Sequence, residues 1–496
     1  MPNTSSHGNG TQSSSSALEV GGNGEEQQKD TKTILGHGWW NKVLDFDEAK
    51  KQILFALPMV LNNLFYYMIP LISLMLAGHF GELQLAGATL ANSWNVVSGL
   101  GVVTGLSGAL ETLCGQAFGA EEYQILGVYL QASCIVSTLF SIIISIIWFF
   151  TEPILVLLHQ SHDIARTAAS YMKFLIPGLF AYGYMQNIMR FLQTQSVVTP
   201  LIVLSGVPLL IHVGIAYAFV HGTALKFKGA ALAVSVSFWI SMLLLVFYVK
   251  CGKKFKQTWK GFSVQSFHYI LTDLKLALPS ATMSCLEYWA FEVLVILAGL
   301  LPNSEISTSL IAICVNTQAI GYMITVGLSA AVSTRVSNEL GADHPDRAKV
   351  AMGVSVKLTL ICAFCVILAL VFGHSLWISL FSKSTRIKEE FAAMRPLLAA
   401  TLLLDAVQGV LSGVARGCGW QNIGVYVNLV AFYFVGMPIS IILAFKTKLH
   451  AKGLWTGLIC GLTCQNVALF LLTKLGKWTK LNVSGDGGEA NAVAAY

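Results

Sequence analysis

Apolar stretches long enough to cross a bilayer, about 20 residues each, recur along this sequence, and nothing else in it constrains the fold as strongly. Twelve lie at roughly 52–78, 85–117, 123–150, 165–194, 198–220, 229–250, 270–300, 305–337, 347–374, 388–415, 421–445 and 453–474. The breaks between them are short and polar, such as GHFGE at 78, GAEE at 119, HGTALKFK at 221 and GADHPDR at 341. Charged residues are 11% of the 496, against about 25% in soluble domains. Five Lys and seven Asp/Glu of them fall within residues 1–51, so the remainder carries too few to build a soluble surface. A soluble enzyme, a nucleic-acid binder and a fibrous protein are excluded. The net charge of +6 is spread between apolar runs and is no nucleic-acid footprint. The chain reads as an all-α polytopic membrane protein.

The ends differ from the middle. Residues 1–33 are rich in Ser, Gly, Asn, Gln and Glu and read as a disordered tail without a cleaved signal peptide. Residues 34–51 mix Trp with charges at helical spacing and read as an interfacial amphipathic segment. Residues 475–496 read as a second disordered tail. Lys250, Lys253, Lys254, Lys256 and Lys260 crowd the loop at 251–269, and the Lys/Arg bias places both termini and that loop in the cytoplasm. Asn3, Asn9 and Asn482 are formal glycosylation acceptors that this orientation leaves unmodified. Most of the ten cysteines lie inside apolar runs, including Cys362 and Cys365, and read as small buried residues.

The sequence repeats itself. Residues 56–78 match 277–299 at seven of 23 positions, among them Pro58/Pro279, Tyr67/Tyr288 and Gly78/Gly299. Residues 105–120 match 327–342 at seven of 16, with an offset of one more residue. The repeat unit is thus six spans, an N-terminal lobe at 52–250 and a C-terminal lobe at 270–474. An even number of spans makes both lobes enter the bilayer in the same sense, so their pseudo-two-fold axis runs along the membrane normal. Two six-helix lobes about a central cleft suit an alternating-access carrier; a duplicated scaffold or a channel is the competing reading.

ETLCGQAFGA (111–120), CLEYWAFE (285–292), GLSAAVSTRVSNELGA (327–342) and LDAVQGVLSGVARGCGWQNIG (404–424) resemble the multidrug and toxic compound extrusion family, in its plant detoxification-efflux branch. The likeness runs from about Trp39 to Lys474. It implies a V-shaped bundle of 12 helices that exports or sequesters organic cations and secondary metabolites, alkaloids and flavonoids among them, by exchange with protons. It also implies a monomer in the vacuolar or plasma membrane, with lipid, protons and small organic molecules as partners and no nucleic acid. No cofactor is expected: the chain has no G-x-x-x-x-G-K-[ST] run for ATP, no metal cluster and no catalytic set, so it is not expected to be an enzyme. A sodium-coupled exporter or a lipid-linked flippase on the same scaffold is the alternative, with a channel behind it.

Charges inside apolar spans are costly and mark function. In the first half these are Glu111 and Arg190; in the second they are Glu287, Glu292 and Asp405. In the repeat Glu287 aligns with Tyr66, and Asp405 aligns with Gln186 when Pro177 is set against Pro396. Packing residues are needed in both lobes, whereas a coupling site is needed once, so Glu287 and Asp405 are the expected proton-coupling pair. Both fall mid-span, where desolvation favours the protonated form, and proton and cation would compete for one anionic site. Glu292, about 140° around the helix from Glu287, faces the outer cleft or makes a structural hydrogen bond. Asn316 and Gln318, with Asn62 and Gln186, are candidate cavity or interhelical polar groups, and Tyr66, Tyr67, Tyr288 and Trp289 candidate aromatic contacts. Glu111 and Arg190 either pair or snorkel to the interface. Pro58 is a candidate hinge.

Overall fold

The computed structural model describes residues 45–302, 304–381, 384–447 and 449–481. The tail at 1–33, the first part of the interfacial segment, Asn3, Asn9, Asn482 and the chain after Leu481 lie outside the described residues. Glu48–Tyr496 forms one compact unit.

Among the described residues the structure is all-helical. The first half contains α1 (Phe46–Gly78), α2 (Glu82–Gly119), α3 (Tyr123–Phe149), α4 (His162–Thr194), α5 (Thr199–His221) and α6 (Phe227–Cys251). The second contains α7 (Ile270–Gly299), α8 (Ser304–Gly341), α9 (Pro345–Phe381), α10 (Thr385–Cys418), α11 (Gln421–Phe445) and α12 (His450–Leu475). Eleven of the twelve are long and apolar enough to cross a membrane. The exception is α4, which is 33 residues long but buries Gln186, Asn187, Gln193 and Thr194 and so loses hydropathy. Its polar face looks inward, against α2, α3 and α6.

Three boundary regions take a definite form in the structure. Residues 46–51 are the first turns of α1, not a separate interfacial segment, because Glu48 and Gln52 have buried partners in the second half. The loop at 251–269 is folded: Phe255 and Thr258 are buried, and Gln131 on α3 donates to Gly261 O and accepts from Ser263 N. Residues 476–481 are likewise no loose tail. Trp478 is buried, packs edge-on against Trp420, and brings Leu481 N within 2.9 Å of Gln116 Oε1.

The halves pack as units, with α4 against α6 in the first and α8 against α10 in the second. They meet on the side carrying Glu48 and Leu481, called here the terminal side. There α2 and α8 cross, and repeat-equivalent residues face one another. A Cβ on Gly119 would stand 1.9 Å from Asn338 O, and one on Gly341 2.0 Å from Gln116 O. Only glycine permits this approach, and the two contacts are images of each other under the repeat. Directly after them, Glu121 and Asp343 both adopt left-handed φ, 61° and 58°. The pseudo-two-fold axis read from the sequence therefore passes between α2 and α8.

Candidate functional site

Beside that axis lies a cavity of about 80 Å³ lined from both halves, by Thr104, Glu111 and Arg190 on one side and Glu287, Tyr288, Tyr322, Gln408 and Arg416 on the other. It is smaller than the roughly 300–1,000 Å³ of drug-sized sites.

Glu287 reaches the cavity from α7, which α11 holds in the turn leading up to it. Asn428 Nδ2 donates to Met283 O at 2.8 Å and Tyr433 OH to Leu286 O at 3.1 Å. From α10, Gln408 Nε2 donates to Glu287 Oε2 and to Ser412 Oγ, both at 3.0 Å. Asp405 lies one turn before Gln408 on the same helix. It is 3% exposed, with the Gln318 side chain beside it, and close enough to Glu287 for the two charges to repel. The structure thus gathers two carboxyls and two amides from α7, α8 and α10.

At the terminal end of the same cavity, Glu111 is fully buried. Arg190 Nη1 lies 2.8 Å from its Oε1. Arg416 Nε, from α10, lies 3.0 Å from Oε2, and Ser333 Oγ of α8 donates to the same oxygen at 2.6 Å. The pair expected within one lobe is therefore a cluster that joins both lobes. Arg416 stands inside the α10 motif quoted from the sequence but is not among the span charges, because it lies two residues from the helix end, where a charge looks like part of a loop. Gln408 goes unnamed beside the other span amides, because only the approach of α7 to α10 brings it to Glu287.

The other candidates scatter. Tyr288 lines the cavity and packs edge-on against Tyr322, ring centres 6.4 Å apart. Trp289, on the next position, turns away and donates its indole N–H to Val97 O of α2 at 3.1 Å. Asn62, Tyr66 and Gln186 are buried without lining the cavity, and Asn62 Nδ2 points at Met189 Sδ at 3.4 Å. Tyr67 is exposed. Asn316 is exposed and spends its amide on Ala312 O of its own helix, so it does not join Gln318 beside the acids. Glu292 is half-buried and away from the cavity. Pro58 is buried inside an α1 that continues past it.

A family model described as MatE matches residues 58–218 and again 279–442, and its two matches begin at the Pro58/Pro279 pair of the repeat. Protein DETOXIFICATION 18 of Arabidopsis thaliana is 59% identical over 443 residues, covering 89% of this chain and 94% of that one. Protein DETOXIFICATION 16 of the same plant is 44% identical, covering 87% and 89%. Among solved structures, the eukaryotic MATE transporter AtDTX14 superposes with a TM-score of 0.84 at 38% identity, covering 88% of this chain and 97% of that one. An outward-facing multidrug resistance MATE transporter shares the fold, with a TM-score of 0.78 at 16% identity, covering 86% and 95%.

Proposed function

Because the chain belongs to the MatE family of membrane transporters, we propose that it is a proton-coupled antiporter that exports or sequesters organic cations and secondary metabolites by alternating access. The observation that carries this reading is the carboxyl pair Glu287–Asp405, of which Glu287 lines the cavity between the lobes and Asp405 is buried behind it, with Tyr66 and Gln186 at the equivalent places in the first half. Two carboxylates within reach of each other repel, so either a proton or a cationic substrate relieves the site. Gln408 orients Glu287 for both states, since its amide can donate to the anion and accept from the acid. Proton and substrate thus exclude one another, and exclusive occupancy is the minimal requirement for exchange.

Terminal-side closure completes the scheme. The glycine crossing of α2 and α8, the Glu111–Arg190–Arg416 cluster and the Gln116 and Asn338 bonds to Gly417 O and Thr194 O all join the lobes there. Substrate in this state would exchange with the side opposite the termini, and with both termini cytoplasmic that side is the exterior or the vacuolar lumen. The protein works as a monomer in this reading, because one chain supplies both walls of the cleft.

The test is flux into proteoliposomes under an imposed pH gradient, with alkaloids, flavonoids and organic acids as the panel. Uptake of a cationic alkaloid that collapses with a protonophore and ignores sodium is the expected result. Uptake that follows a sodium gradient instead would favour the sodium-coupled alternative.

A further inference from the structure

The lobes touch on the terminal side through two seams that the repeat makes equivalent, one between α1 and α9 and one between α7 and α3. In the first, Gln52 is buried and satisfied: its Nε2 donates to Glu48 Oε1 at 3.1 Å and to Ala351 O at 2.9 Å, and Ser355 Oγ donates to its Oε1 at 2.5 Å. In the second, the residue in Gln52's place is Asp273 and the residue in Ser355's place is Ser133. The same bond forms, Ser133 Oγ donating to Asp273 Oδ1. The difference lies in the other oxygen. Asp273 is 0% exposed, and its Oδ2 has no hydrogen-bond partner.

The first seam also has an ion pair, Arg335 to Glu48 at 2.9 Å. Its equivalents in the second are Leu113 and Tyr269, so the charge compensation is missing where the acid stands. Facing Asp273 are Ser133 and Cys134 on α3 and Cys114 on α2. On its own helix Lys275 points outward, and no Lys, Arg or His among the described residues pairs with the carboxyl. One turn further along α7, Ala277 belongs to an apolar cluster with Leu106, Ala109, Val136 and Ala281. An uncompensated carboxylate cannot be held in such a place, whereas a carboxylic acid can.

We propose that Asp273 is a further proton-binding residue of the transport cycle, carrying a proton while the lobes are closed on the terminal side and ionising when they part. One proton from the adjoining water forms the Oδ2–H bond as the seam closes, and returns to that water as it opens. Asp273 lies 14 residues before Glu287 on α7, about 21 Å along the helix, so it binds its proton independently of the substrate site. The inference rests on the alternating-access reading above.

The experiment uses the full chain in nanodiscs with Ala277→Cys, a fully buried seam position, as a reporter of opening by maleimide labelling. Labelling is compared with and without Asp273→Asn across pH 6 to 8, the same protein lacking the reporter being subtracted. Because the reporter thiol is common to both, its own pH dependence cancels in the ratio. The ratio of parent to Asp273→Asn should rise with pH, by up to tenfold per unit for one linked proton. A flat ratio overturns the proposal and leaves Asp273 a packing residue. Adding Glu287→Gln and Asp405→Asn to both proteins separates the two readings: the rise persists if Asp273 is its source and disappears if the substrate-site acids are. Should Asp273→Asn fold poorly, Ser133→Ala keeps the acid, and its labelling relative to a seam-remote cysteine must retain the rise.

Discussion

The two seams are one construction made twice, and only one of them contains an uncompensated acid. Gln52 and Asp273 occupy the same place in the repeat, as do Ser355 and Ser133; the side-chain bond across the seam is the same, and the surroundings are not. The site within the cleft follows the same rule, with Glu287 and Asp405 in the second half and Tyr66 and Gln186 in the first. Duplication supplies the scaffold, namely the glycine crossing and the helix packing, and it is kept where both halves need it. Charge is kept once, where a proton or an ion pair has a use. A charged residue whose repeat partner is neutral is therefore a better guide to function here than a charged residue alone.

The largest effect tests that rule in the cleft. Asp405→Asn preserves shape and removes the titratable group, so pH-gradient-driven exchange should fall to background with expression near wild type; substantial flux would remove Asp405 from the coupling pair. Glu287→Gln imitates the protonated acid, so binding of a cationic substrate should weaken and lose most of its pH dependence. The sign follows from competition: raising pH uncovers the anion and strengthens cation binding in the parent protein. Tyr66→Phe, at the equivalent place in the other half, should keep that dependence. Titrations by tryptophan fluorescence or calorimetry between about pH 5 and 8 check both, and equal behaviour of the two variants breaks the comparison.

Next in size is the inter-lobe cluster. Glu111→Ala leaves Arg190 and Arg416 facing each other in a buried place, and removing one partner of a buried pair costs about 3–5 kcal/mol. A clear fall in Tm is expected, together with faster labelling of Cys418, which is buried at the end of α10. The equivalent residue Ser333 is neutral, and Ser333→Ala should cost less, about 1.5–3 kcal/mol, the worth of one hydrogen bond to a charged group.

Where the scaffold is symmetric, the effects should be symmetric. Gly119→Ala and Gly341→Ala each drive a methyl against a backbone oxygen about 2 Å away, and overpacking of this kind costs about 1–3 kcal/mol. Both should weaken terminal-side closure by similar amounts, read as similar losses of Tm. A marked difference between them would mean that the crossing is not the shared element the repeat makes it.

The sequence revealed the spans, the repeat and the mid-membrane acids because hydropathy, self-similarity and a charge in an apolar run are all local patterns. It hid whatever depends on how helices end. Asp273 and Arg416 stand within a turn or so of helix termini, where a charge looks like part of a loop; only packing shows that Asp273 is sealed under α3 and that Arg416 turns inward to Glu111. Gln408 is an ordinary amide until α7 and α10 bring it to Glu287, whereas Gln318 is already a candidate in the sequence. Asn316, two residues from Gln318, turned out to face away because an α-helix separates neighbours by 100°. Residues 475–496 read as a tail because Lys477 and Lys480 are charged, but Trp478 between them packs on Trp420.

The smallest effects concern how each half leaves its last helix. After α6, Phe255 tucks back against Phe191 of its own half, and the segment is held by Gln131, also of that half. After α12, Trp478 tucks against Trp420 in the same manner, but Leu481 and Lys480 continue across to Gln116 and Glu122 in the other half. The second exit segment is thus a strap between lobes, and the first is not. Trp478→Ala should cost about 1–2 kcal/mol, less than a central core truncation, because the ring sits at the rim. It should also speed labelling of Cys418 on the terminal side, whereas Phe255→Ala should lower Tm without doing so. Lys480→Ala removes an ion pair at 4.0 Å between partly exposed groups, worth no more than about 0.5 kcal/mol, and should leave both readouts within error. Were Phe255→Ala to open the terminal side as far as Trp478→Ala does, the strap would have no special role and the two exits would be equivalent after all.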